Sequence, residues 1–389
     1  MNKPAEIFAS LAQHRSEPAV MLDQMIEHFR QERSAMELFE AMKMRVRHQV
    51  GLPLVPFGEE PARSEEVERQ LELGLLQACR EAGTILVQDG RVAEGWMYLR
   101  PTADMELARE LISKIEITDD NYDDMIQVLL HEGVDVARGF QAVIDHQGTC
   151  NSVTLYEQSI VARSMPDRKA ASTCLLNHLY GELCSLVRSD IAQKDGEPPA
   201  GEDESLGDMI ESRRWILEGG GYHLDTTHLA ATVRVATVLD DPALLKKAWE
   251  LTQYGRRLHH QFQYPGDEPF VDFYPAYGAF YSVLLGQNVD AGLKLFQRKA
   301  STVDVAEHGT GAIETYVDLL DRIGRHGEAV TAAIELVPAD VPAQRIVPML
   351  IEIAGRAKDA GDPTAFESLL AYCQQREDVL GYAAALHAA

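Results

Sequence analysis

The sequence predicts an all-α fold of stacked antiparallel helix pairs, and three observations lead there. Leu, Ala, Glu, Met and Gln recur at spacings of three and four, as expected when one helix face is buried. Period-2 runs of Val, Ile and Thr are scarce, which leaves little from which to build strands. Helix starts also share a turn chemistry, seen at Asp240-Asp241-Pro242, Gly361-Asp362-Pro363 and Thr102-Ala103-Asp104. Aspartate can cap a helix N-terminus, and a following proline already has the φ of the first turn.

Taken in order, residues 17–50 predict one long amphipathic helix or two in close succession. Met25, Phe29, Met36, Phe39 and Val46 form its apolar stripe. The stretch 52–61 carries three prolines and Gly58 and predicts a break. Ser64 then caps a helix whose first turn holds Glu65 and Glu66, where the helix dipole favours anions. From Gly90 onward the chain reads as short helices and tight turns. Segments 119–132 and 134–146, parted by Gly133, predict an αα-hairpin. Residues 192–206, rich in Pro, Gly and acids, predict an exposed loop. The expected organisation is an N-terminal helical segment over 1–60, helical pairs over 61–191, the acidic loop over 192–206, and further pairs over 207–389.

Two segments repeat a hinge. Gly90-Arg91-Val92-Ala93-Glu94-Gly95-Trp96 and Gly324-Arg325-His326-Gly327-Glu328-Ala329-Val330 both read Gly-Arg-x-x-Glu-small-apolar, and a looser echo over 286–296 puts Asp290-Ala291 in the Glu-small place. With Tyr316-Val317-Asp318-Leu319-Leu320-Asp321-Arg322-Ile323 before it, the stretch 316–338 resembles a tetratricopeptide unit. Pro338 closes its second helix early, and no period of roughly 34 residues runs through the chain. The resemblance implies a tetratricopeptide-like α-solenoid or α/α superhelix, a right-handed stack of helix pairs with a concave face.

At 389 residues the chain is long enough to bury a large core. Its formal charge of −25, from 61 acids and 36 bases, argues against nucleic acid and anionic membranes as partners and favours a basic one. The five cysteines are scattered and lack a Cys-x-x-Cys pair, so neither a disulfide framework nor a zinc ribbon is indicated. The N-terminal apolar stretch is too short for a secretory signal, and a cytoplasmic location is expected. No phosphate-cradling Gly-rich loop or dinucleotide fingerprint occurs.

Four constellations carry candidate chemistry. His178 and Glu182 lie one turn apart on a helix expected over 167–190, where they can act as metal ligands or general base. After three glycines, His223, Asp225 and His228 gather about a helix start expected near Thr227. Imidazoles with a carboxylate suit a divalent Zn, Mn or Fe ion. The plainer alternative is that Asp225 only caps and His228 packs. In the third, Gly148 ends a helix and Thr149 caps the next, placing Cys150 in a first turn beside His146, where a thiolate is favoured. The fourth is the aromatic loop 263–277. It offers Tyr264, Asp272 and Tyr274, with Tyr222 and Arg234 nearby, to a polar substrate. Two functions follow as expectations: a metal-dependent hydrolase or lyase of a small polar substrate, or a non-catalytic tetratricopeptide-like scaffold binding a peptide partner. Oligomeric state is not legible.

Overall fold

The computed structural model describes residues 4–58, 62–194 and 196–389. Met1 to Lys3, residues 59–61 of the expected break and Asp195 of the expected loop lie outside the described residues. Twenty α-helices and no strand occur among the described residues, so the chain is all-α. None of these helices is long and apolar enough to cross a membrane. The chain divides into two compact units, one ending at His146 and the other running Gln147–Ala389.

The first unit holds α1 (Pro4–Gln13), α2 (Pro18–Gln31), α3 (Ala35–Gln49), α4 (Glu65–Gln88), α5 (Val92–Leu99), α6 (Met105–Ser113) and α7 (Tyr122–Ile126). The 17–50 stretch is two helices, because Arg33 takes a positive φ of 55° between α2 and α3. Leu22, Ile26, Leu38 and Met42 form its buried face. Met36, placed on the stripe above, is 53% exposed: it falls in the first turn of α3, just past that bend. Ser64 caps α4 as expected, accepting from Val67 N at 3.4 Å. The hairpin expected over 119–146 is shorter, since α7 widens into a π turn over Gln127–His131. Helix α8 (Val136–Gln158) is broken at Gly148, whose φ of 77° and ψ of 177° are not helical.

The second unit continues with α9 (Met165–Gln193), α10 (Leu206–Ser212), α11 (Thr226–Val235), α12 (Pro242–Gly255), α13 (Phe273–Leu284), α14 (Val289–Thr302) and α15 (Val305–His308). It ends with α16 (Gly311–Arg322), α17 (His326–Leu336), α18 (Ala343–Asp359), α19 (Thr364–Gln375) and α20 (Val379–Ala388). From α12 onward the longer helices pack against their chain neighbours, and α14 packs on α16 across the one-turn α15. One continuous core built on Leu, Ala, Tyr and Phe runs through them. Asp241 caps α12 through Ala243 N and Leu244 N at 2.9 and 3.0 Å. Asp362 accepts from Thr364 N at 3.1 Å at the start of α19. The acidic loop is pinned in place: Arg188 donates to the carbonyl of Glu204 at 2.7 Å, and Trp215 Nε1 donates to Glu197 at 3.0 Å.

The repeated hinge has one geometry in both units. Gly90 and Gly324 turn at φ 81° and 82°, and the next amide reaches back to Leu86 O and Leu320 O at 2.9 and 2.8 Å. That closes the outgoing helix with a Schellman-type turn. The small residue five places on lets the helices touch. A Cβ on Gly95 would stand 2.5 Å from Val87 Cγ2, and Ala329 is fully buried. The looser echo is displaced by one residue. Asn288 adds a left-handed step at φ 49°, so Ala291 faces out and Gly292 takes the close-packed place instead.

Candidate functional site

Five of the predicted residues, Cys150, Glu182, His223, Asp225 and His228, line one cleft of about 380 Å³ in the second unit. Of the residues expected to converge on one point, His178 does not line this cleft, and Cys150 from a different constellation does. Hydrogen bonding decides what its polar groups can do. The backbone amide of His223 donates to the Tyr254 hydroxyl at 3.0 Å, and Nδ1 meets the same hydroxyl at 2.9 Å. Nε2 faces Asp190 at 3.3 Å. The consistent assignment has Tyr254 O–H donating to Nδ1 while Nε2–H donates to Asp190. Burial pushes the Tyr254 phenol up to about 12, so it stays a donor.

Asp225 is a helix cap. Its Oδ1 accepts from Thr227 N at 2.7 Å, Thr227 Oγ1 at 2.5 Å and His228 N at 3.3 Å. The Thr227 hydroxyl, ahead of the two amides, holds this carboxyl below the usual range. His178 Nε2 bonds Thr149 Oγ1 at 3.1 Å, with Glu182 at 3.9 Å. Gly148 itself takes the non-helical position before the second half of α8, so Thr149 falls inside the helix rather than at its cap, which corrects the expectation for it. Among the described residues no three His, Cys, Asp or Glu side chains stand close enough to share an ion. The donors do not form a site for the expected Zn, Mn or Fe. His178 is turned to Thr149, His223 to Tyr254 and Asp190, and Asp225 to the start of α11, and no third ligand closes on the others among the described residues.

The remaining predicted residues are dispersed. His146 stacks on Tyr122, with ring centroids 4.2 Å apart, and faces Asp119 at 3.7 Å. Cys150 is an exposed free thiol. Tyr222 is exposed and packs edge-on against Phe262 at 4.8 Å. Tyr264 meets Thr226 Oγ1 at 3.1 Å. Asp272 precedes α13 without a side-chain cap bond. Tyr274 is a core residue, 1% exposed, laid where a Cβ on Gly255 would stand 2.2 Å from its ring. Arg234 is ion-paired with Glu157.

Arg234 and Tyr264 instead belong to a larger feature. A cavity of about 560 Å³ is lined by α11, the second half of α8 and the aromatic loop. A second, of about 960 Å³, lies over α13, α16 and α18. They share Phe270, Tyr277 and Thr315 as lining residues, so they adjoin there as two halves of one groove-like face. About half of its lining comes from α11, α13, α16 and α18, and most of the rest from the second half of α8, the aromatic loop, α9 and single residues of α12 and α17.

Arg322 braces the groove floor. It donates to Thr237 O at 2.6 Å and to Leu239 O, and pairs with Asp240 at 3.0 Å and Asp318 at 3.3 Å. Asp321 is held by His326 at 2.7 Å and Arg356 at 2.8 Å. Asp318 stands apart. Desolvation by the surrounding walls, only partly offset by Arg322, holds its carboxyl above the usual range although water reaches part of it. Tyr277, Glu314 and Asp318 are not among the site residues expected from the sequence. A usable signal was present in α16, where Glu314, Asp318 and Arg322 recur every four residues on one face.

No protein-family model matches the chain, and no curated protein or solved structure is significantly similar to it.

Proposed function

We propose that the protein is a non-catalytic, tetratricopeptide-like scaffold whose second unit is a superhelix of helix pairs receiving an extended peptide segment of a partner. The carrying observation is the pair of cavities that adjoin at Phe270, Tyr277 and Thr315. Helices α11, α13, α16 and α18 supply about half of its lining, and repeat stacks present such concave helix faces to partners. An extended chain advances about 3.3 Å per residue, so a groove of this volume suits a strand of several residues better than one compact metabolite. The acidic chain favours a basic cytoplasmic partner over nucleic acid or an anionic membrane.

The test is selection of binders from a random peptide library by the full-length protein. Thr315→Trp, which fills the junction, and Thr154→Trp, at the first cavity, should each abolish capture while unfolding midpoints match the wild type. Capture that survives both blocking variants removes this function.

A second function is favoured by the shared cleft of Cys150, Glu182, His223, Asp225 and His228. On that view the protein is a hydrolase or lyase of a small polar substrate. Chelator-free protein assayed on small esters, amides and phosphoesters, with and without Zn²⁺ or Mn²⁺, tests it. Turnover abolished by Glu182→Gln supports it, and none above buffer removes it.

A further inference from the structure

Resting on the groove-binding function above, we propose that the cavity junction recognises a lysine or arginine of the partner segment. The cationic side chain lies against Asp318 and Glu314, and the Tyr277 hydroxyl donates to a neighbouring backbone carbonyl of the partner.

Tyr277 is the first support. It is 5% exposed, and its ring stacks on Phe270 with centroids 3.9 Å apart and planes within 1°. It lines both cavities, so its polar end faces the groove, where Arg234 and Asp267 are the charges acting on it. Among the described residues no group accepts or donates a hydrogen bond at that hydroxyl. Burial keeps the phenol protonated far above neutral pH, so it can donate. Unlike the sealed Tyr274 hydroxyl, it is open to the groove, and an arriving ligand carbonyl replaces water as its acceptor.

The second support is the charge left over along the walls. Lys169 is paired with Asp240, Arg234 with Glu157, Arg356 with Asp321, and Arg322 is shared between Asp240 and Asp318. Of the groove's Lys and Arg side chains, only Arg168 has no carboxylate partner among the described residues. On the other side, Asp267, Glu314 and Glu352 face the groove without a lysine or arginine partner among the described residues. The surplus is anionic and flanks the junction. Phe270, half-buried beside it, offers an apolar face for the methylene stem of a Lys or Arg and for its cationic head. An acidic segment would meet uncompensated carboxylates and the field of a chain carrying −25.

The experiment sequences the peptides selected from a random decapeptide bead library and measures the strongest one by fluorescence anisotropy. Enrichment of Lys or Arg at one position, with depletion of Asp and Glu, is the expected outcome. With that peptide, Glu314→Gln/Asp318→Asn should weaken binding about tenfold or more and flatten its dependence on salt. Tyr277→Phe should weaken it roughly five- to tenfold with no fall in unfolding midpoint. Glu367→Gln on α19 should leave affinity unchanged. If no library peptide binds at all, the groove-binding function itself fails. If peptides bind and the blocking variants expel them, yet they carry no basic residue or ignore the Glu314/Asp318 variant, the groove function stands and the basic-residue site is overturned.

Discussion

The cleft at His223 and the groove junction at Tyr277 belong to one unit and are built from the same residue types, yet their polar groups are treated in opposite ways. In the cleft, His223 is held by Tyr254 and Asp190, and Asp225 by three donors at the start of α11. At the junction, the Tyr277 hydroxyl has no protein partner among the described residues, and beside it the half-exposed Asp318, though paired with Arg322, has its carboxyl held above the usual range by desolvation. The difference teaches that a cluster of chemically capable residues is not yet a site. Groups already satisfied within the protein contribute to stability, whereas an unpartnered group points to a ligand only where it also borders open space, as Tyr277 does and the sealed Tyr274 hydroxyl does not.

Substitutions can sharpen or break that contrast, and the largest effect is expected at Tyr254. Removing its hydroxyl with Tyr254→Phe strands the His223 amide and ring nitrogen, and urea unfolding should show a loss of about 2 kcal/mol. A loss near zero would mean that the cleft is not held by this bond. Next, Asp225→Ala should cost about 1 kcal/mol, the usual loss for an N-cap. Rescue of most of that loss by Asp225→Asn or Asp225→Ser would identify the role as capping, whereas no rescue would reopen a role for the charge.

The third prediction sets the two carboxylates against each other through pH. The Asp225 pKa is lowered in the fold, so its contribution is present above the unfolded value of about 3.9 and is lost as pH falls through the lower folded value. Asp318 is shifted the other way. Its ionised form detracts from stability at neutral pH, and that deficit disappears as pH falls through the raised folded value toward about 3.9. Thermal melts at neutral pH should therefore place Asp225→Asn below the wild type and Asp318→Asn at or above it, with the Asp318→Asn difference closing in acid. Shifts of the same sign would abolish the distinction. The smallest effect is expected for Tyr277→Phe, whose stability should stay within about 0.5 kcal/mol of the wild type because no internal bond is lost. A loss above that range would reveal a protein partner for the hydroxyl and undo the contrast.

Much of the helical architecture was legible in advance because helices are specified locally. Ser64, Asp241 and Asp362 each accept a backbone amide in the first turn that follows them. The Gly90 and Gly324 hinges share one turn geometry because the same short motif needs the same positive φ. Legibility faded where one inserted residue or one rival bond changed the outcome. Asn288 shifts the third hinge by a residue, and Gly148 takes the non-helical position that had been expected to leave Thr149 as a cap. The candidate site was half legible: Cys150, Glu182, His223, Asp225 and His228 do line one cleft, but spacing along the chain could not show which way their donor atoms turn.

By itself, then, the sequence determined an acidic, all-α chain, most helix starts and the close-packed hinges, since each depends on residues within a few positions of one another. Tertiary structure alone decided which polar groups find partners. Tyr254 reaches His223 from 31 positions away, and Arg322 reaches the Thr237 carbonyl across 85. Such long-range pairing is set by how helices pack, and it leaves Tyr277 and Asp318 facing an open groove without full compensation.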